Sequence, residues 1–113
     1  MAMALKEQVV DGIAILALKG KLLGGRETDE LHRKLRQLQQ RDMNKIILDL
    51  RQVKRLNSSG LAALMVARAN LRNAGGDLKL LNVEGEVRSL FMITKLITIF
   101  ETFDSVERAM KSF

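Results

Sequence analysis

The chain has 113 residues, 47% of them hydrophobic, and 19 Lys and Arg against 13 Asp and Glu give a formal net charge of +6. That length makes one domain, spanning 1–113, around one core, and the apolar fraction argues against disorder. Cysteine is absent, which excludes disulfides and thiolate chemistry and suits a reducing cytoplasm.

Gln8 to Leu18 reads as two strands around Asp11-Gly12, because Asp-Gly between β-branched residues is the strongest short hairpin signal. In the second strand Ile13, Ile15 and Ala17 alternate with Ala14, Leu16 and Leu18. Both faces are apolar, so both are expected to be covered. Gly20 to Gly25 reads as a glycine-rich connection. It has neither the Gly-Lys-Ser/Thr ending of a P-loop nor the spacing of a dinucleotide fingerprint. Its two leucines, Leu22 and Leu23, are not both expected to be buried.

Arg26 to Gln40 is a helix with Leu31, Leu35 and Leu38 in one stripe. Asp29 with Arg33, and Glu30 with Lys34, have the spacing of ion pairs on its other side. His32 is the only histidine, and with no cysteine beside it no metal site or cofactor is expected. After a turn at Arg41–Asn44, Lys45 to Leu50 is a short strand with the nearly continuous apolar run of a parallel sheet. Strand, helix and strand make a βαβ unit. Asp49 then stands near the carboxyl end of a central strand, where a single carboxylate is expected to tether a loop. Arg51 to Leu56 reads as the loop leading to Asn57.

Asn57-Ser58-Ser59-Gly60 is the stretch around which the chain is organised. A helix, roughly Ser59 to Asn73, leaves from it. Ser58 sits where a strand's exit meets a helix N-terminus, whose unpaired N–H groups and dipole favour negative charge. A serine there either caps the helix or carries a phosphate that the fold tolerates. Gly60, Ala63, Leu64, Ala67 and Leu71 form the core face. Leu61, Met65, Arg68 and Arg72 form a second stripe, and Ala62, Val66 and Ala69 occupy the opposite side. The first two turns are thus apolar almost all round. A domain this small cannot easily surround a helix, so the stripe from Leu61 to Arg72 is expected to face a partner.

Asn73 to Asp77 ends that helix with glycine at its C-terminal position. Leu78 to Asn82 is a strand, and Gly85 to Met92 a helix with Val87, Leu90 and Phe91 inward. Thr94-Lys95-Leu96 breaks it. Ile99 to Thr102 is the last strand, and Asp104 with Glu107 is a capping-box pattern opening a helix to about Ser112. The order β-β-α-β-α-β-α-β-α gives an α/β fold, with a mixed, mostly parallel sheet of about five strands and about four helices.

The chain resembles the bacterial anti-sigma factor antagonists (anti-anti-sigma factors) of the STAS domain family. The resemblance spans nearly the whole length. It is carried by Gly20-Lys21-Leu22, Ile46-Ile47-Leu48-Asp49-Leu50, Asn57-Ser58-Ser59-Gly60-Leu61, Ala74-Gly75-Gly76-Asp77-Leu78, Thr94-Lys95-Leu96 and Phe103-Asp104-Ser105, in that order and spacing. It implies a non-enzymatic protein that binds an anti-sigma factor of the serine protein kinase type and thereby releases a sigma factor. It also implies phosphorylation at Ser58 by that partner, reversed by a PP2C-type phosphatase. The partner surface implied is Leu22, Leu23, Asn57, Ser58, Ser59, Gly60, Leu61, Met65, Arg68 and Arg72. In place of the acidic residue usual in the family the chain has Asn57, and Leu23 stands where another acidic residue is often found. Lys95 stands where glycine is common. An Asn cannot supply a negative charge or take a proton from the serine, so the alternative is a STAS interaction or scaffold module that is never phosphorylated.

Other functions fit less well. A serine nucleophile would have only His32 as an imidazole base, and the Gly-x-Ser-x-Gly pattern is missing. The positive charge allows nucleic acid, yet four Phe with no Trp or Tyr make a poor stacking platform, and the basic residues follow no recognised motif. No apolar run reaches membrane-spanning length and no leader pattern is present, so neither a membrane nor a nucleic acid is expected as a direct partner.

Overall fold

Asp11 and Gly12 both take positive φ, 52° and 76°, the backbone that a two-residue hairpin turn requires. The computed structural model describes residues 4–113, so the first three positions of the expected 1–113 domain lie outside the described residues. The turn joins strand β1 (Ala4–Val10) to β2 (Ile13–Leu22), antiparallel, with Val10 opposite Ile13. From β2 onward every pairing is parallel: with β3 (Lys45–Leu56), then β4 (Asp77–Leu81), then β5 (Thr102–Phe103). The spatial order is β1-β2-β3-β4-β5, identical to the sequence order.

Helices α1 (Arg26–Gln40), α2 (Ser58–Asn73) and α3 (Gly85–Ile93) make the three crossovers. Crossovers of one hand that all step the same way place their helices on one face of the sheet. The main core reflects this. Leu31, Leu35 and Leu38 of α1, Leu64 and Leu71 of α2 and Phe91 of α3 join Leu16, Leu18, Leu48 and Leu80 of the strands in one buried cluster. The other face carries a smaller cluster, Ile13, Ile15, Ile47 and Leu81, under Ala109 of the last helix, α4 (Val106–Lys111). The start of β2 is therefore covered on both sides, as its doubly apolar pattern requires. Lys79 points into this second layer and is only 3% exposed. Its ammonium donates to Glu101 at 2.6 Å and to the Ser112 carbonyl at 3.0 Å, so the buried charge is paired.

Several boundaries differ from the sequence expectation. Gly20 to Leu22 is strand rather than loop, and so is Arg51 to Leu56, because the two segments pair with each other, Gly20 with Val53 and Leu22 with Leu56. Two register shifts interrupt this ladder, between Ala17 and Lys19 and between Gly20 and Lys21. The extension hydrogen-bonds backbone that would otherwise stay unpaired beside the core. Asp49 consequently lies within β3 rather than near its end. It acts as a tether all the same: its Oδ1 accepts from the Arg51 amide at 3.0 Å and from Asn82 Nδ2 at 3.2 Å.

The last strand is Thr102–Phe103 rather than Ile99 to Thr102, because Leu96–Thr98 winds into a 3₁₀ turn that buries Phe100. The capping box expected at Asp104 is replaced by Ser105, whose Oγ accepts from the Arg108 amide at 3.4 Å. On α1, Lys34 pairs with Glu7 of β1 rather than with Glu30, and no Asp29–Arg33 ion pair forms among the described residues. A strand carboxylate beneath the helix outcompetes a neighbour on the same solvated surface.

Candidate functional site at the start of α2

Asn57 fixes the junction between β3 and α2. Its backbone is extended, with φ −116° and ψ −176°, and its Oδ1 accepts from the Gly60 amide at 3.0 Å. Its Nδ2 donates to the Leu23 carbonyl at 3.1 Å, and its own amide donates to the Leu22 carbonyl at 3.3 Å. A primary amide can accept at one end and donate at the other; a carboxylate can only accept. Asn57 thus caps α2 and binds it to the turn after β2 in one side chain. The cap is Asn57 rather than Ser58, which becomes the first residue of the helix.

This leaves Ser58 exposed, and its hydroxyl makes no hydrogen bond among the described residues. Ser59 is exposed beside it and packs against the turn at Gly24. A Cβ at Gly24, where φ is +87°, would stand 2.6 Å from the Ser59 Cβ. The Gly24 amide donates to Thr28 Oγ1 at 3.0 Å, which anchors the turn to α1. Gly60 is buried over the Leu22 carbonyl. The end of β2, the Leu23–Gly25 turn and the first turn of α2 therefore form one connected platform beneath two exposed serines.

The expected partner surface divides on this platform. Leu22 is 0% exposed and Leu61 3%, and Gly60 is also buried. These three support the surface and do not form it. Leu61 joins the main core cluster, so the stripe that the sequence pattern left open is buried at its first position. Arg68 and Arg72 both pair with Asp77, at 3.6 and 3.1 Å; Arg68 is half-buried with its guanidinium 5.9 Å from the Phe100 ring centre, and Arg72 stays exposed. Leu23, Asn57, Ser58, Ser59, Met65 and Arg72 remain at the surface.

Two residues outside the expected set belong to the platform, one at its surface and one beneath it. Val66, placed by the helical wheel on the far side, is 53% exposed next to Met65 at 42%. Thr28, 4% exposed, holds the turn. Its signal was present in the sequence, because it continues the Leu31, Leu35, Leu38 stripe by one turn.

His32 does not approach Ser58. It lines an open groove between α1 and α2 with Asn70 and Leu71, and Asn70 lies roughly 18 Å along the helix from Ser58 at 1.5 Å per residue. Among the described residues no three His, Asp or Glu side chains gather as a metal site, and no helix is long and apolar enough to cross a membrane.

A family model for the STAS domain matches residues 4–109. BtrV of Bordetella bronchiseptica, a proposed anti-sigma factor antagonist, is 27% identical over 111 residues, covering 98% of this chain and 95% of that protein. Among solved structures, a proposed anti-sigma factor antagonist from Thermotoga maritima superimposes with a TM-score of 0.83 at 24% identity, over 96% of this chain and 92% of that one. The Bacillus anti-sigma factor antagonist SpoIIAA superimposes with a TM-score of 0.72 in both its unphosphorylated form, at 18% identity over 96% of each chain, and its phosphorylated form, at 19% over 96% and 98%. These two structural likenesses are ones of fold. With the family model spanning the sheet, all three crossover helices and most of α4, the chain belongs to the STAS domain family.

Proposed function

We propose that this protein is an anti-sigma factor antagonist, switched by phosphorylation at Ser58. The observation that carries the proposal is the state of Ser58: first residue of α2, exposed, and relieved of capping by Asn57. The descriptions of BtrV and SpoIIAA as anti-sigma factor antagonists, and the existence of SpoIIAA in a phosphorylated form, support it. The partner is an anti-sigma factor of the serine protein kinase type, which supplies the phosphate, and a PP2C-type phosphatase removes it. The protein itself catalyses nothing and acts in the cytoplasm.

The switch is local electrostatics. A phosphate on Ser58 adds about −1.5 to −2 charges. The start of α2 stabilises that charge by about 0.3–2 kcal/mol, so the domain has no need to refold. The cost falls on the complex. Leu23, Met65 and Val66 give the surface around Ser58 an apolar character, and burying the new charge there is unfavourable unless a cation pairs with it. A loss of about 4 kcal/mol would weaken binding roughly a thousandfold.

Incubation with ATP and lysate of the native host, followed by mass spectrometry, tests this. Phosphate maps to Ser58 and is absent from Ser58→Ala. No phosphate, under conditions that modify a control antagonist, overturns the switch. It would favour a constitutive interaction module. One observation favours that second reading: position 57 holds an amide already committed to Gly60 and Leu23, with no carboxylate beside the serine.

A further inference from the structure

The extension of β2 and β3 beyond the main sheet is strongly and exclusively basic. Between Asp11 and Glu27, and again between Asp49 and Asp77, the chain has no acidic residue. Lys19 and Lys21 from β2, and Arg51, Lys54 and Arg55 from β3, lie in these intervals and all are exposed. None of the five enters an ion pair among the described residues, whereas Glu7, Asp77, Glu101 and Asp104 all do.

The register sharpens the point. Lys21 and Arg55 are directly paired across the two strands, and Lys19 is opposite Gln52. Neighbouring strands are about 4.8 Å apart. Leu22 turns inward to the helical core and its partner Leu56 packs against that core, so alternation sends the preceding pair, Lys21 and Arg55, to the opposite, solvated face. Like charges directly opposite each other destabilise a sheet. All five lie within a few residues of one another, so their fields add over about one Debye length, 8–10 Å. Such a ribbon is a cost to the fold unless an outside anion balances it.

We infer that this ribbon docks an acidic segment of the protein partner, and that phosphate on Ser58 competes with that segment for the same cations. The inference rests on the partner-switching reading above and names the chemistry of the partner. Continuity supports it: Leu22 and Leu56, the next pair along the ladder, lead straight into Leu23 and Asn57 of the platform. The neighbourhood also favours protein over nucleic acid. Leu23, Met65 and Val66 offer exposed apolar surface, which a phosphate backbone does not use, while Phe91 and Phe100 are buried and unable to stack on bases.

The test uses the whole, unmodified chain with a fluorescent oligoglutamate of about twelve residues, titrated between about 20 and 200 mM salt. Binding is expected at low salt and is lost as salt rises. The double variant Lys21→Glu/Arg55→Glu should weaken it at least about tenfold, while Arg33→Glu/Arg36→Glu on α1 leaves it within about twofold. Should charge reversal impair folding, Lys21→Gln/Arg55→Gln gives the same direction with a smaller loss. Ser58→Asp should weaken binding by about two- to fivefold without touching the ribbon. Equal losses in the ribbon and α1 variants would reduce the effect to net charge and overturn the inference. So would tighter binding of a single-stranded oligonucleotide of matched charge. Undiminished binding by Ser58→Asp would overturn the competition alone. Because the ribbon assay needs no phosphorylation, a chain never modified on Ser58 can still pass it, and the two proposals fail separately.

Discussion

Gly60 rests directly on the backbone carbonyl of Leu22. A Cβ at position 60 would overlap that oxygen and stand 2.7 Å from Leu56 Cδ1. The contact sets how closely α2 begins to the end of β2, and therefore where Ser58 is held. Gly60→Ala should destabilise the domain by about 3 kcal/mol, since a carbonyl fixed in a strand cannot easily withdraw. Urea unfolding measures this, and a loss below about 1 kcal/mol would mean that α2 shifts freely.

Asn57 separates capping from bridging. Asn57→Ala removes both hydrogen bonds of the amide and should cost about 1–2 kcal/mol. Asn57→Asp keeps the acceptor for Gly60 and gains from the helix dipole, but loses the donor to Leu23. Its net effect on stability should lie within about 1 kcal/mol of wild type. Both variants should speed amide hydrogen exchange in the Leu23–Gly25 turn. If Asp leaves that turn as protected as Asn does, the Nδ2 bond contributes nothing to its order.

Glu7 is a source of acid sensitivity. Its hydrogen bond to Lys34, with a smaller contribution from Arg41, holds its carboxyl below the usual range despite opposition from burial. A lowered folded-state pKa stabilises the protein above the unfolded pKa, and that stabilisation disappears as pH falls through the folded value. Wild type should therefore lose more stability than Glu7→Gln between about pH 5 and pH 3. Thermal melts of the two proteins across that range provide the measurement, and parallel pH profiles would exclude the effect.

Lys95 sits at φ 61°, in the left-handed region, just after α3. That conformation costs a side-chain-bearing residue about 1–2 kcal/mol, partly offset because glycine loses more chain entropy on folding. Lys95→Gly should stabilise the protein by up to about 1 kcal/mol. A decrease in the urea midpoint would mean that the lysine side chain contributes more than its backbone costs.

The pattern of what could be read from the sequence follows physical lines. Asp11-Gly12, the Leu31–Leu38 stripe and the core face of α2 were legible because each is a local periodicity or turn chemistry with one solution. The extension of β2 and β3 was not. Lys19, Lys21, Arg51, Gln52, Lys54 and Arg55 mask the alternation, and only tertiary pairing reveals it as strand. The cap was ambiguous for a different reason. Asn57, Ser58 and Ser59 are all good cap residues in a row, and the choice among them is made by the fit of Gly60 over Leu22. The burial of Leu61 was not legible because the periodicity of α2 does not show how wide an arc of the helix the core covers.

The sheet is laid down in sequence order, each strand beside the one before it. Every strand after the first therefore finds its template already made. Contacts stay as short in sequence as a parallel sheet allows, which favours rapid closure over slow, long-range search. On the ribosome, where chain emerges at about 5–20 residues per second, the β1–β2 hairpin can form before β3 is exposed. Assembly would then proceed like a zip from one edge, with α4 closing over the second face as the final step.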